Sequence, residues 1–140
     1  GGWNRQPSAD DRPSIAVLIF EASTTSPDQD KLAQRLTEGV TSELARLGTM
    51  SVVSYTSAMQ FAGQRRSMRE ISAALGVDYV IEASVDEEVN GLLVVVRVVN
   101  AATDRKFWVS DYRGNRDDIR GISQRVAFDA SAAILRAPTP

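Results

Sequence analysis

The amino-acid sequence predicts a single α/β domain of the mixed α+β kind, in the order βαβαβββα, with helices packed on one five-stranded mixed sheet. Strand-like apolar runs alternate with helical patterns in the first half of the chain, which indicates β-α-β crossovers and parallel strands. The Asn90-Gly91 pair then separates two apolar runs, which indicates a hairpin and antiparallel strands. A length of 140 residues, with 43% apolar and 24% charged residues, is typical of one domain with its own core.

The predicted elements place the domain between residues 14 and 136. Residues 1–13 contain two prolines and are predicted to be a flexible lead-in or linker, and residues 137–140 are predicted to be a short tail. The chain begins with Gly-Gly-Trp and no methionine, so we expect it to be part of a longer protein.

The first strand and the first helix follow directly from local patterns. Residues 14–20 form a nearly continuous apolar run, as in a strand that is covered on both faces. Ser26 can cap a helix that has Pro27 at its first position, and Gln29 completes a capping box. Gly48 is a stop signal for that helix. One helical face is apolar and consists of Leu32, Leu36, Val40, Leu44 and Leu47.

Two further strands are predicted on either side of two short helical segments. Residues 50–55 form the second strand, and residues 56–63 form a short helical turn. Residues 67–70 form a second capping box, which begins a helix that Gly76 ends. Residues 77–85 place alternate apolar side chains on one face, as expected of a third strand.

The last part of the chain predicts a hairpin, a fifth strand and a final helix. Asn90-Gly91 favours a type I′ turn, after which residues 92–99 form a fourth strand that is apolar on both faces apart from Arg97. Residues 106–112 form the fifth strand. Two aspartates then open a helix whose apolar face consists of Ile119, Ile122, Val126, Ala130 and Ile134. We place the five strands in the order 2-1-3-4-5.

The composition excludes several classes of chemistry. The sequence contains no cysteine and no histidine, which rules out disulfides, thiol nucleophiles, the usual zinc sites and Ser-His catalytic pairs. Neither of the two glycine-rich nucleotide-binding patterns, G-x-x-x-x-G-K-[ST] and G-x-G-x-x-G, is present in the sequence. The net charge of −2 gives no long-range attraction to nucleic acids or anionic lipids. We therefore expect no cofactor and no metal, and we do not expect nucleic acid as the main partner.

Two acidic groups are the remaining candidates for catalysis. Asp86, Glu87 and Glu88 precede the hairpin, and Asp117 and Asp118 begin the last helix. Paired carboxylates can act as general acid and general base. The alternative is a solvated turn and a helix start that favours negative charge. Because nothing in the sequence distinguishes an acid from a base in either group, we predict that the chain is not an enzyme.

A basic loop is the candidate for anion binding. Arg65, Arg66 and Arg69 stand at the beginning of a predicted helix, where guanidinium groups and free backbone N–H groups can hold a phosphate or a carboxylate. The alternative is a solvated loop whose arginines pair with nearby acids. Binding of a small anionic ligand or of nucleic acid through this loop is the second candidate function.

An aromatic group on the fifth strand is the candidate for protein contact. Trp108 and Tyr112 are expected on one face of that strand and Phe107 on the other. If exposed, they would form an interface patch. The alternative that we favour is packing against the last helix. The second and fifth strands are at the predicted sheet edges, where a partner strand or a second copy can pair.

Five segments, in this order and spacing, match the pattern of a known family. They are residues 13–20 (PSIAVLIF), 36–47 (LTEGVTSELARL), 56–63 (TSAMQFAG), 71–85 (ISAALGVDYVIEASV) and 96–112 (VRVVNAATDRKFWVSDY). Together they resemble the TolB amino-terminal-domain-like modules, over residues 13–135. The chain departs from that pattern at Ile19, where the family has proline, at Ala83, where it has glycine, and in the loop of residues 22–26.

The resemblance implies a type of function as well as a fold. Modules of this kind occur in multidomain bacterial regulators of the CadC type, in proteins with nucleotide-cyclase domains, and in envelope proteins such as FlgO-like proteins. The resemblance therefore implies a non-catalytic protein-interaction or sensory module that couples a partner or signal to an output domain. It also implies a membrane-anchored parent protein, a periplasmic location, and a protein partner or self-association.

Overall fold

The computed structural model describes residues 11–24, 26–64 and 66–137. Their helices and strands are, in chain order, β1 (Ser14–Val17), β2 (Glu21–Ala22), α1 (Pro27–Leu47), β3 (Ser51–Val52), α2 (Tyr55–Met59), α3 (Met68–Leu75), β4 (Tyr79–Glu88), β5 (Gly91–Asn100), β6 (Arg105–Gly114) and α4 (Ile119–Arg136). None of the helices in the described part of the chain is long and apolar enough to span a membrane. Most of the predicted lead-in and tail, residues 1–10 and 138–140, lies outside the described residues.

All the strands belong to one mixed sheet. The order is β3-β1-β4-β5-β6, and the short β2 pairs with β4 beside the main path. β1 is parallel to both β3 and β4, whereas β4–β5 and β5–β6 are antiparallel. The predicted order 2-1-3-4-5 is this order when β2 is left out, so the fold class and the strand order are confirmed. β3 and β6 are the two ends of the main path.

The first predicted strand is interrupted. β1 ends at Val17, and after one further bond from Leu18 to β4 the chain leaves the sheet before β2. The Phe20 N–H is donated to the Thr37 hydroxyl of α1 at 2.9 Å, and the Phe20 ring is buried. An apolar run in the sequence indicates burial, and the buried residue of a turn and that of a strand look the same in it. The prediction that residues 14–20 form one continuous strand is therefore wrong.

Helix termini lie where the capping signals predict them. The Ser26 and Ser67 hydroxyls each accept a backbone N–H three residues further on, at 3.2 and 3.1 Å, and the Asp118 carboxylate does the same for α4. Gly48 and Gly76 follow α1 and α3 with φ of 74° and 68°, which glycine adopts without strain. Capping therefore fixes both ends of α1 and of α3.

The β4–β5 hairpin forms, but its turn differs from the prediction. Glu88 pairs with Gly91, so the two loop residues are Val89 and Asn90. A type I′ turn requires positive φ at both loop residues, and neither has it. The type I′ prediction is wrong because Gly91, with φ of 152°, stands after the turn. Its missing Cβ leaves room for the Gly114 carbonyl oxygen.

The sheet has two different faces. The first, called here the covered face, packs against α1 and α4 and holds the main core. The second, called here the open face, packs against α3 only near β1 and the start of β4, through Ala16, Val77 and Val80. Further along, the open face carries half-buried or exposed side chains, which are Glu82, Leu93, Val95, Arg97, Val109, Asp111 and Arg113.

Candidate functional site

Tyr112 of the aromatic group is part of the core. It is only 5% exposed, and its hydroxyl donates to the Asp129 carboxylate of α4 at 2.7 Å. Burial, and then this hydrogen bond, raise the pKa of Tyr112 well above its usual value of about 10. The Arg125 guanidinium lies 5.9 Å from the centre of the ring. Tyr112 thus packs against the last helix, which was the favoured interpretation of the aromatic group.

The other two aromatic side chains lie where β6 is irregular. Trp108 is half-buried and packs on the core of the covered face. A register shift between Val98 and Val99 breaks the alternation of β6 beside Phe107. The Phe107 ring is 5.5 Å from the ring of Tyr79, a covered-face residue, at an interplanar angle of 64°. The prediction that Phe107 lies opposite Trp108 is therefore wrong, yet Phe107 remains 40% exposed.

Val109 is an exposed residue that the sequence analysis missed. It lies opposite Arg97 on the open face and is 55% exposed. Alternation from Trp108 and Tyr112, both directed towards the core, would have placed it there. Because β6 ends the main path of the sheet, Phe107 and Val109 expose apolar surface on an edge strand.

A second apolar patch joins the two long helices. Phe128 of α4 is 64% exposed, and with Leu47 of α1 it lines a groove of about 340 Å³. Leu47 was predicted on the buried face, but it is the last residue of α1 and is 42% exposed. Phe128 lies outside the apolar stripe of α4, so its exposure could have been predicted from the sequence.

Arg66 and Arg69 of the basic loop are not brought to one site. Arg65 lies outside the described residues. Arg66 lines a cavity of about 320 Å³, whereas Arg69 lines a different one of about 700 Å³. The Arg66 guanidinium lies 5.5 Å from the centre of the Phe61 ring, a cation–π distance. The described arginines therefore do not form the joint anion site that their spacing in the sequence suggested.

The cavity of Arg66 is a cleft between the α2–α3 connection and the open face. We call it the Arg66–Arg97 cleft. Its charged lining residues are Arg66, Arg97, Glu21 and Glu82. Glu82 and Arg97 are direct cross-strand neighbours on β4 and β5, and both are half-buried. The ion pairs within 4 Å among the described residues do not include either of them.

Three of the five candidate carboxylates have structural partners. Glu87 pairs with Arg116, and Glu88 pairs with Arg113 at 3.0 Å. Asp118 caps α4. In residues 11–24, 26–64 and 66–137, no group of three or more Asp or Glu side chains is placed to hold a metal ion. Glu87 and Glu88 thus connect the end of β4 to the end of β6 and the loop that follows it, and Asp118 starts α4.

Comparison with known proteins connects this geometry to a fold. No family model matches the chain. Over 115 residues it is 29% identical to "Putative adenylate cyclase 3" from Rhizobium meliloti (strain 1021), covering 82% of this chain and 20% of that protein. The chain thus spans about a fifth of the length of this curated relative.

The solved structures that are similar to this chain include the following three. TolB from Acinetobacter baumannii matches with a TM-score of 0.66 and 18% identity, over 93% of this chain and 30% of that one. The lipoprotein GNA1162 from Neisseria meningitidis gives 0.60 and 11%, over 89% and 99%. A variant PelC dodecamer from Paraburkholderia phytofirmans gives 0.59 and 15%, over 86% and 90%. The chain therefore has a TolB-like fold, which confirms the resemblance of its sequence motifs.

Proposed function

We propose that this chain, whose fold is TolB-like, is a non-catalytic protein-interaction module of a bacterial regulatory or envelope protein. It contacts its partner along the outer edge of β6 and passes the binding signal to an output domain elsewhere in the parent protein. A membrane-anchored parent and a periplasmic location for the module are part of the same proposal.

The observation that carries the proposal is the outer edge of β6. This ten-residue strand pairs with β5 and with no other strand of the described residues. On the outer side of an edge strand, alternate N–H and C=O groups are available to a partner strand. Phe107 and Val109 add exposed apolar surface at the same edge. Backbone pairing supplies affinity in such contacts, and side chains of this kind supply specificity.

The charges of β6 favour a selective partner. Arg105 and Lys106 at its start and Asp111 further along are exposed, and charges on an edge normally discourage unspecific pairing. A complementary partner strand has acidic side chains opposite Arg105 and Lys106. It has an apolar side chain opposite Val109. The same charged residues thus discourage unspecific pairing with other strands and favour a partner of complementary charge.

Proteins that are similar to this chain support the proposal. The solved PelC structure is a dodecamer, so a protein with a similar fold assembles with its own copies. GNA1162 is a lipoprotein, which favours an envelope location for this module. The relative from Rhizobium meliloti is about five times longer than the matched region, as expected if the module operates beside other domains.

The proposal is tested by photo-cross-linking in the parent protein in its native cells. A benzophenone amino acid at Val109 is expected to give one discrete adduct, because β6 is in contact with the partner. The matched control is the same amino acid at Lys31, an exposed residue of α1, which is expected to give none. In the protein that carries the benzophenone amino acid at position 109, the additional substitution Phe107→Lys is expected to weaken the adduct.

The mass of the adduct identifies the partner as a second copy or another protein, and either result supports the proposal. The absence of an adduct at Val109, or equal adducts at both positions, contradicts it. Circular dichroism of each variant shows whether the fold is retained.

A further inference from the structure

We infer that the Arg66–Arg97 cleft binds a small zwitterion of the size of an amino acid or a dipeptide. The two arginines hold its carboxylate, and Glu21 and Glu82 hold its ammonium group. This inference is independent of the proposed β6 contact, because the two sites use different residues.

Arg97 is the first reason. It is the one charged residue in a strand that is otherwise apolar from residue 92 to residue 99. Its side chain is half-buried, and it has no ion pair within 4 Å among the described residues. Its cross-strand neighbour Glu82 does not lie within 4 Å, so this half-buried charge is only partly compensated, and a bound carboxylate would complete the compensation.

The second reason is the balance of charge in the cleft. Arg66 and Arg97 supply two positive charges, and Glu21 and Glu82 supply two negative ones. The position of Arg66 over the Phe61 ring orients its guanidinium. A simple anion would be attracted by the arginines and repelled by the glutamates. A molecule with one group of each sign satisfies both pairs, because opposite charges then meet throughout the cleft.

The third reason is the position of the cleft in the sheet. The connection that follows β1 packs α1 on the covered face, and the connection that follows β3 packs α3 on the open face. The strand order therefore reverses direction between β1 and β4, the topological switch point where open α/β sheets commonly bind ligands. Glu21 follows β1 and Glu82 lies in β4, so the cleft lies at this switch point.

The volume limits the ligand. At about 320 Å³, the cleft is at the lower end of the range for small-molecule pockets. A nucleotide with several phosphates would be too large and would carry too much negative charge. An amino acid or a dipeptide has both the size and the paired termini.

The test is an NMR titration of the 140-residue chain with glycylglycine and with L-alanyl-L-alanine. We expect saturable shifts of the amide signals of Ala62, Gly63 and Ala83, which line the cleft, at concentrations up to about 10 mM. Arg97→Gln and Glu82→Gln are each expected to weaken binding about tenfold, because each removes one charged contact. The matched control, Arg113→Gln, changes an arginine of the open face outside the cleft and is expected to leave binding unchanged.

Two single-charge probes make the inference decisive. Acetate and methylammonium each carry one half of the zwitterion and are expected to bind much more weakly than the dipeptides. Equal shifts with acetate alone would indicate a simple anion site and overturn the inference. The inference also fails if neither dipeptide gives saturable shifts, or if Glu82→Gln binds as well as the unmodified chain. Thermal unfolding of each variant verifies that the fold is intact. The outcome of the photo-cross-linking experiment at Val109 does not affect this test, because it concerns the β6 edge and not the cleft.

Discussion

The covered face and the open face use the same strands for opposite purposes. On the covered face, Leu36, Val40, Ile122 and Val126 are fully buried against the sheet. On the open face, the register row through Glu82, Arg97 and Val109 has two charges and an exposed valine. The sheet thus packs one face in the core and leaves the other to the contacts proposed above, because neighbouring residues of a strand point to opposite faces. A substitution can therefore affect one of them and leave the other unchanged.

The largest expected difference is in stability. Leu36→Ala removes a fully buried side chain and is expected to lower the free energy of unfolding by about 3 kcal/mol. Val109→Ala, on the open face, is expected to change it by less than about 0.5 kcal/mol. Urea unfolding followed by circular dichroism measures both values. Similar losses for the two variants would show that the open face is covered in solution and would break the comparison.

Tyr112 tests the contact between the covered face and α4. Tyr112→Phe removes the hydrogen bond to Asp129 and is expected to cost about 1.5 kcal/mol at neutral pH. The raised pKa of Tyr112 means that the folded state keeps the proton which the unfolded state releases above about pH 10. This contribution is therefore complete below about pH 10 and decreases as the pH rises towards the folded-state value.

Unfolding curves of the unmodified chain and of Tyr112→Phe between pH 7 and pH 11 check the sign. The difference between the two proteins is expected to shrink at the alkaline end. A difference that grows with pH would contradict the assignment of the hydrogen bond.

Two buried serines of α4 sharpen the comparison further. The Ser131 hydroxyl is 2.7 Å from the Thr49 hydroxyl, whereas the Ser123 hydroxyl has no hydrogen-bond partner among the described residues. The higher helix propensity of alanine is expected to raise the free energy of unfolding of both variants by about 0.5 kcal/mol. Only Ser131→Ala also loses a hydrogen bond. Ser123→Ala is therefore expected to be about 1 kcal/mol more stable than Ser131→Ala. Thermal melts of the two variants decide this, and equal melting temperatures would count against it.

Most of the local structure could be predicted because its causes are local. Ser26, Ser67 and Asp118 cap helices through atoms three residues away, so the sequence shows both partners at once. The strand order also followed from the sequence, because short connections and crossover handedness leave few arrangements. The apolar stripe of α4 correctly identified the side that packs in the core.

The candidate sites could be predicted only in part. Phe107 was assigned to a strand face by strict alternation, and the irregular pairing of β6 with β5 changed its environment. Arg66 and Arg69 are three residues apart in the sequence but line different cavities. Arg97 stood out in its apolar strand, yet nothing in the sequence indicated that Glu82 would lie directly opposite.

The sequence by itself determined the helix ends, the mixed sheet and the alternation that separates the two faces, since each depends on residues close together in the chain. Only the tertiary structure decided which face stayed open, which strand became the exposed edge and which charges share a cleft. Those outcomes depend on contacts between residues far apart in the sequence. Glu21, Arg66, Glu82 and Arg97 come together only because β2, the α2–α3 connection, β4 and β5 meet at one point of the sheet.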